Sequence, residues 1–511
     1  MDAANGVSGS ALGNRSHRGL VWVGLGVIVL VGLLLRVYQL PNESAWADEL
    51  YAVRPLGAPT LAEYIRLERA GDTPMTPVYF TLAYYWSRLS SETVLSMRIL
   101  SVLFGMLSLP LTFLVGRRLY GTHAGLIAAL AHALSLTHIY QSQEIRTYGL
   151  ATLLALVSAY ALLEALRTEK AGWWVVNVLA NGMLLFTHGF TALFCFAQWC
   201  FLLGFRRKPF GWLVLWGLVH VAYVIALHLW LSTVDVKDID TVLGWIPKPG
   251  WREIAVMLVV FTGGRAHHEN PASHLPSGVS LDTVLTALVG LILAWFVLNT
   301  LRGPAGDRAE PLGQAPWPRR EALGLLLCWF AIPVVLLFVL AHVWRPCFIY
   351  RYILFSSLPI YVLLAGALVS MRPGKTRIGL AAVLLVIIAH QLTGVFAGPF
   401  RPDWQSASRY LEANVEPADH IVLPGIDLEA LVYNSSIPRE RMDFVPVWSE
   451  VISRVQEAHA DGCDAWYAVW LWASPEKVEN DLRLRGLRFT ARDFGGWPNL
   501  RVYHIRRPGR S

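Results

Sequence analysis

The chain has 511 residues, of which 55% are apolar and only 15% charged, with a formal net charge of +7. Soluble chains of this length carry more charge, and the mean hydropathy of +0.44, with many runs near the ~20 apolar residues a bilayer helix needs, excludes a water-soluble protein. The positive balance does not indicate nucleic acid, because the basic residues sit in short clusters between apolar runs, as at cytoplasmic helix ends.

In chain order, Met1 to Arg18 is polar, and the apolar run after it has no small-residue cleavage site behind it. It reads as a retained first span rather than a signal peptide. Spans are expected at Leu20–Leu40, Ser96–Val115, His123–Tyr140, Tyr148–Ala165, Trp173–Phe186 and Phe190–Phe205. They continue at Phe210–Leu231, Leu281–Leu301, Ala322–Val343, Tyr352–Ser370 and Ile378–Phe396, about eleven in all. Pro77–Leu89 is apolar but too short to cross and reads as a re-entrant or interfacial helix.

Charge sets the expected orientation. With Arg15 and Arg18 in the cytoplasm, loops of the same sidedness hold Arg117 and Arg118, Arg167 and Lys170, and Arg206, Arg207 and Lys208. The later ones hold Arg302, Arg308, Arg319 and Arg320, then Arg372, Lys375 and Arg377. The short loops on the other side hold only Arg146, Arg345 and Arg351. This is the positive-inside asymmetry. It puts three long segments outside: a first loop over 41–95, a middle loop over 232–280, and the tail. The expected division is a transmembrane catalytic part, 1–399, and a small soluble extracytoplasmic α/β domain, 400–511. In that tail Asp403 is placed to cap a helix through Leu411, and Pro475–Arg485 has helical periodicity. Ile421–Leu423, Ala465–Trp472 and Leu500–Ile505 read as strands. Of the five cysteines, Cys195, Cys200 and Cys328 sit in apolar runs as small fillers. Cys347 and Cys463 fall on the outer side, where a disulfide is chemically permitted.

Four short segments carry candidate chemistry. Asp48 and Glu49 lie just beyond the first span; they read as solvated loop acids or as a functional pair, since buried unpaired carboxylates are costly. The turn from Tyr140 to Tyr148 packs Gln143, Glu144 and Arg146 together, as a helix-end ion pair or as part of a site on the same face as Asp48. His188 follows Thr187 in a third turn, where a lone His is commonly structural. Arg351 opens a late span; it could snorkel or hold a phosphate. His267-His268-Glu269 is a weak metal pattern. There is no phosphate loop, no GxGxxG after a strand, no HExxH and no GxSxG.

Taken in order, these motifs resemble bacterial membrane glycosyltransferases of the GT-C superfamily, in particular family 39-like proteins related to protein O-mannosyltransferases and lipid A aminoarabinose transferases. Asp48 and Glu49 match the family's Asp-Glu pair. Its His-Pro-Pro-Leu-Tyr segment reads Pro74-Met75-Thr76-Pro77-Val78-Tyr79, so only Pro77 and Tyr79 match. Ser142, Gln143, Glu144, Arg146 and Tyr148 match its Ser-Gln-acid-x-Arg-x-Tyr turn, and Thr187, His188, Ala197 and Gln198 its Thr-His turn and following Ala-Gln. Arg351 with Tyr352, and Asp403 with Trp404, complete the series, so the resemblance runs from Trp46 to about Trp404.

The resemblance implies a GT-C type polytopic α-helical fold and a polyprenyl-phosphate sugar as donor. The acceptor would be a lipid, glycan or protein at the outer face of a bacterial inner membrane. It implies inverting transfer with Asp48 as base, and Arg146 and Arg351 where the phosphate leaves. His188 would touch the phosphate or sugar, Glu49 and Glu144 would orient the sugar or the arginines, and Tyr79 and Tyr352 would complete the binding surface. Some relatives use a divalent metal, for which Asp48 and Glu144 could supply oxygens. The rival readings are a flippase for lipid-linked saccharides and a scaffolding membrane protein.

Overall fold

A computed structural model of the chain describes residues 3–69, 76–205, 209–233, 246–262, 281–302, 317–396, 401–424, 427–445, 448–470, 475–495 and 500–509. Pro74, Met75 and the His267-His268-Glu269 pattern lie outside the described residues.

The chain is a multi-span membrane protein. Seven of its described helices are long and apolar enough to cross a bilayer: Gly19–Val37, Val94–Tyr120, Tyr148–Thr168, Phe210–Ser232, Leu281–Arg302, Arg319–Val343 and Tyr350–Ser370. The first lies within α1 (Ala3–Val37). The first long loop carries α2 (Ala47–Val53), α3 (Leu61–Arg69) and α4 (Pro77–Leu89). Then come α5 (Val94–Tyr120), α6 (Thr122–Leu134), α7 (Leu136–Ser142), α8 (Tyr148–Thr168), α9 (Ala171–Leu185), α10 (Ala192–Gly204) and α11 (Phe210–Ser232). The later helices are α12 (Trp251–Phe261), α13 (Leu281–Arg302), α14 (Arg319–Val343), α15 (Leu358–Ser370) and α16 (Lys375–Val395).

Two sequence expectations need correction. The span expected at His123–Tyr140 is two helices, because Ser135 takes an extended conformation (φ −67°, ψ 116°) between α6 and α7. The Ser135 hydroxyl shares a 2.8 Å hydrogen bond with Tyr361 of α15, and His138 Nε2 one of 2.7 Å with Ser357. These tertiary bonds break a run whose apolar pattern is continuous. The middle loop is not wholly polar: α12 lies within it and buries Val256, Met257, Val259, Val260 and Phe261. The Thr137 hydroxyl donates to the Val260 carbonyl at 2.9 Å, which ties α12 to α7.

A buried polar network joins α8, α9, α10 and α11, the last through a 2.9 Å bond between Asn181 and His220 Nε2. Gln198 Oε1 accepts from Asn177 and Asn181 at 3.1 Å each, and Gln198 Nε2 donates to Ser158 Oγ at 2.7 Å. The motif residue Gln198 is therefore helix glue. Cys347 and Cys463 are both free thiols.

The tail folds as a five-stranded sheet of order β2-β1-β3-β5-β4. Its strands are β1 (His420–Pro424), β2 (Met442–Val445), β3 (Ala465–Trp470), β4 (Arg488–Phe494) and β5 (Leu500–Arg506). β1 runs parallel to β2 and β3, while β5 runs antiparallel to β3 and β4. Alternate side chains build two cores: Ile421, Leu423, Trp466 and Val502 pack on Trp404 and Leu411 of α17 (Trp404–Asn414), and Val422, Tyr467 and Tyr503 pack on Val451 and Val455 of α19 (Trp448–Ala460). Asp403 caps α17 by accepting from the Ser406 N–H at 3.0 Å.

The sheet layer is fastened to the first long loop. The Ser44 hydroxyl donates to Asp403 at 3.3 Å and accepts from the Gln405 N–H at 3.0 Å. Asn434, at the end of α18 (Asp427–Asn434), donates to the Ala45 carbonyl at 3.0 Å, and Glu429 pairs with Arg54. All of these contacts fall within a few residues of Asp48.

Candidate active site

Helix α2 begins one residue before Asp48, so its two acids leave the helix in different directions. Glu49 points inward and is fully buried. Arg98, in the second turn of α5, meets it with Nε at 2.9 Å from Oε1 and Nη2 at 2.6 Å from Oε2. The remaining Arg98 donors bind the carbonyls of Leu40, Glu43 and Ser44 at 3.1, 2.8 and 3.0 Å. The Ile145 N–H adds a bond to Glu49 Oε1 at 3.2 Å, and Arg401 Nε stands 3.8 Å from Oε2. Burial pushes the Glu49 carboxyl up, but Arg401, Arg98 and these bonds outweigh it and hold it below the ordinary carboxylate range.

Asp48 points the other way and keeps 18% of its side chain exposed. Its Oδ2 lies 2.7 Å from Arg146 Nη2 and 3.9 Å from Arg351 Nη2. Arg146 comes from the tight turn between α7 and α8, where its N–H bonds the Glu144 carbonyl at 2.8 Å. That turn is bolted to the end of α1: Gln143 Nε2 donates to the carbonyls of Arg36 and Tyr38 at 3.0 and 2.9 Å, and Arg36 Nε to Ser142 Oγ at 3.2 Å. Gly105 lets α5 approach, since a Cβ there would overlap the Ser142 hydroxyl.

Glu144 is fully buried, and neither carboxylate oxygen has a hydrogen-bond partner among the described residues. Burial raises its pKa above the ordinary value; Arg351, Arg401 and Arg146 oppose the rise, and Asp48 adds to it. His188 brings an aromatic wall. Its ring centroid is 5.6 Å from Tyr148, 5.2 Å from Tyr352 and 5.8 Å from Phe190. Phe190 and Tyr352 stack at 5.3 Å with 15° between their planes. His188 Nδ1 is buried with no partner among the described residues. Burial, then Arg351 and Arg146, push the ring's pKa down to about 4, so it is a neutral imidazole at pH 7. The Thr187 carbonyl accepts from the Thr76 hydroxyl at 2.6 Å, which docks α4 beneath this wall. Tyr79 of α4 is completely buried behind the site, its hydroxyl 3.5 Å from Ser101 Oγ.

The structure thus brings Asp48, Glu144, Arg146, His188, Arg351 and Tyr352 together, with Glu49 anchoring the loop and Tyr79 packed nearby. Sequence reasoning missed Arg98 and Arg401. Arg98 had a signal: it is a charge near the start of a spanning run, which calls for a buried partner. Arg401 lies two residues before the noticed Asp403, but its Nη2 reaches back to the Gln143 carbonyl at 3.0 Å.

The site does not fit a resident divalent cation well. Asp48 and Glu144 offer two carboxylates, both faced by guanidiniums, and among the described residues no group of three His, Cys, Asp or Glu side chains is placed to hold a metal.

The sequence matches the family model described as dolichyl-phosphate-mannose-protein mannosyltransferase over residues 72–231. Among curated proteins no sequence match is found. Among solved structures the chain is similar to ArnT from Cupriavidus metallidurans in the apo state, at 13% identity and a TM-score of 0.52, over 96% of this chain and 98% of that one. The same enzyme bound to undecaprenyl phosphate aligns at 13% identity and TM-score 0.52, over 94% and 98%. The apo oligosaccharyltransferase of Archaeoglobus fulgidus aligns at 12% identity and TM-score 0.52, over 88% of this chain and 69% of that one. The chain has the GT-C fold. Within this GT-C fold, the family-model match covers α4 through α11 and so includes the Arg146 turn and the His188 turn.

Proposed function

We propose that this chain transfers a sugar from a polyprenyl-phosphate donor to a lipid, glycan or protein acceptor at the extracytoplasmic face of a bacterial inner membrane, with inversion. One observation carries the reading: Asp48, alone among the described carboxylates of the site in having an exposed face, stands between Arg146 and Arg351 beside an aromatic wall. Base, phosphate-binding cations and sugar platform are thereby within reach of each other. The likeness to a solved enzyme bound to undecaprenyl phosphate supports the donor class.

In the transfer, the acceptor O–H gives its proton to Asp48 while the acceptor oxygen attacks the anomeric carbon opposite the phosphate. The carbon–oxygen bond to the phosphate breaks, and polyprenyl phosphate leaves with the bonding pair. Arg351 and Arg146 meet the charge that grows there; in a water-poor site such preorganised cations act strongly. Neutral His188 donates or accepts a hydrogen bond without adding a third cation. The charge asymmetry of the loops supports a cytoplasmic N-terminus and an outer site. In this reading residues 1–399 form the catalytic membrane part and 400–511 an outer α/β domain that helps to hold the acceptor.

The test offers purified protein in lipid nanodiscs a panel of radiolabelled polyprenyl-phosphate sugars, with membrane lipid extract as acceptor. Turnover of a donor, lost in Asp48→Asn, is the expected result. Tight donor binding with no turnover on any acceptor, and flipping of the donor across liposomes, would overturn the enzyme in favour of a transporter.

A further inference from the structure

The segment that leads into Asp48 is held, residue by residue, from the tail. Glu43 Oε2 accepts from the Arg401 N–H at 3.3 Å. The Ser44 hydroxyl donates to Asp403 at 3.3 Å and accepts from the Gln405 N–H at 3.0 Å. The Ala45 carbonyl accepts from Asn434 at 3.0 Å. Glu43, Ser44 and Ala45 are all buried, so these bonds form away from water, where each is electrostatically stronger. Helix α2 starts at Ala47, and Asp48 is its second residue.

The Arg401 side chain adds a second hold. It is 1% exposed, and its Nε stands 3.8 Å from Glu49 Oε2. Its Nη2 donates to the Gln143 carbonyl at 3.0 Å, and its guanidinium lies 5.3 Å from the Tyr140 ring. Glu49 adjoins Asp48, and Gln143 stands three residues before Arg146. One guanidinium from the tail therefore touches both stretches of chain whose side chains meet in the 2.7 Å contact of Asp48 with Arg146. Fastening a domain needs no buried charge, since apolar contacts of similar volume do as well or better. A rigid planar fork differs in fixing direction as well as distance.

We propose that Arg401 is a positioning residue for the transfer: it ties Glu49 of α2 to the Gln143 turn, so that the docked tail sets the placement of Asp48 against Arg146. The assignment rests on the donor reading given above. It gives the tail a part in the chemistry in addition to holding an acceptor.

The test compares full-length wild type, Arg401→Lys, Ser44→Ala and Val455→Ala in nanodiscs. Lysine keeps a charge beside Glu49 but has no fork to hold the Gln143 carbonyl as well. Val455 belongs to the core on the α19 face of the sheet and serves as the control for general loosening of the tail. One readout is steady-state kinetics with the radiolabelled undecaprenyl-phosphate sugar that wild type turns over; the other is amide hydrogen exchange without substrate. Arg401→Lys is expected to lower kcat at least ~10-fold, as misplaced reacting groups do, with the acceptor KM within about two-fold of wild type. Exchange should quicken in both 43–53 and 142–148. Ser44→Ala, which keeps every side chain of the site, is expected to act in the same sense with a loss of about three-fold in kcat. Val455→Ala should lower the unfolding temperature and leave kcat within about two-fold of wild type.

An unchanged kcat in Arg401→Lys overturns the assignment. So does a raised acceptor KM with kcat intact, which would make Arg401 an acceptor contact. Equal kcat losses in Arg401→Lys and Val455→Ala would reduce its role to stability, and quicker exchange in only one of the two segments would mean that it does not join them. Where Arg401→Lys fails to fold, Ser44→Ala with wild-type kcat and exchange overturns the proposal. A wild type that turns over no donor sinks the donor reading, and the exchange result then decides by itself whether Arg401 joins the two segments.

Discussion

Arg98 grips both carboxylate oxygens of Glu49, at 2.9 and 2.6 Å, and that grip leaves Asp48, the next residue back, to face Arg146. Adjacent residues of a helix diverge by about 100°, so anchoring one carboxylate aims the other. The three loop carbonyls that Arg98 also binds fix the approach of the chain to α2. The pair thus acts on chemistry through position rather than contact.

Arg98→Met is therefore expected to destabilise the protein by about 3–5 kcal/mol, the usual result of stripping one partner from a buried ion pair. Thermal unfolding in nanodiscs measures it. Glu49→Gln together with Arg98→Met should cost clearly less than the sum of the single changes. Strict additivity would mean that the two side chains do not work as a unit.

Asp48→Asn keeps the shape of the loop and removes the base. Transfer should fall by at least ~100-fold, with membrane insertion and unfolding temperature unchanged because Asp48 is partly exposed. Near wild-type turnover in this variant would move the base elsewhere.

Much of this arrangement could be read from the chain. The acids and arginines at Asp48, Glu144, Arg146 and Arg351 stand at the ends of apolar runs, where the expected sidedness groups them. Pairings across long separations could not be read: Arg98 meets Glu49 across 49 residues, and Arg401 meets Gln143 across 258. Nor does a periodic pattern mark the break at Ser135, since His132 to Tyr140 stays buried throughout and hydrogen bonds to other helices set the kink. Strand β4 escaped because its residues are exposed at the sheet edge except for Phe494 and half-buried Phe489, so no alternation shows. Glu68 carries no signal in the sequence; only its burial distinguishes it.

Arg351 sits at the start of its span with its guanidinium 5.9 Å from the Tyr148 ring and 3.9 Å from Asp48. If it meets the leaving phosphate, Arg351→Ala should raise KM for the donor and lower kcat, and leave KM for the acceptor near wild type. Arg351→Lys should recover part of the loss, since a point charge replaces a fork. Steady-state kinetics with each substrate varied in turn reads the difference. Equal effects on donor and acceptor would count against a phosphate role.

His188 and Glu68 make stability depend on pH in opposite directions. The His188 pKa falls from 6.5 in the unfolded chain to about 4 in the fold. Between those values the unfolded state binds the extra proton, so stability is lost as pH drops from about 6.5 toward 4. The Glu68 pKa rises from 4.5 to about 8. Here the folded state holds the extra proton, so the neutral acid's contribution is complete below pH 4.5 and is lost as pH climbs through 8. Unfolding midpoints measured from pH 4 to 9 should separate the two. Glu68→Gln, which cannot ionise, should flatten the alkaline limb and leave the acid limb as it was. His188→Asn should do the reverse. If Glu68→Gln runs parallel to wild type from pH 5 to 9, then Glu68 is ionised in the fold.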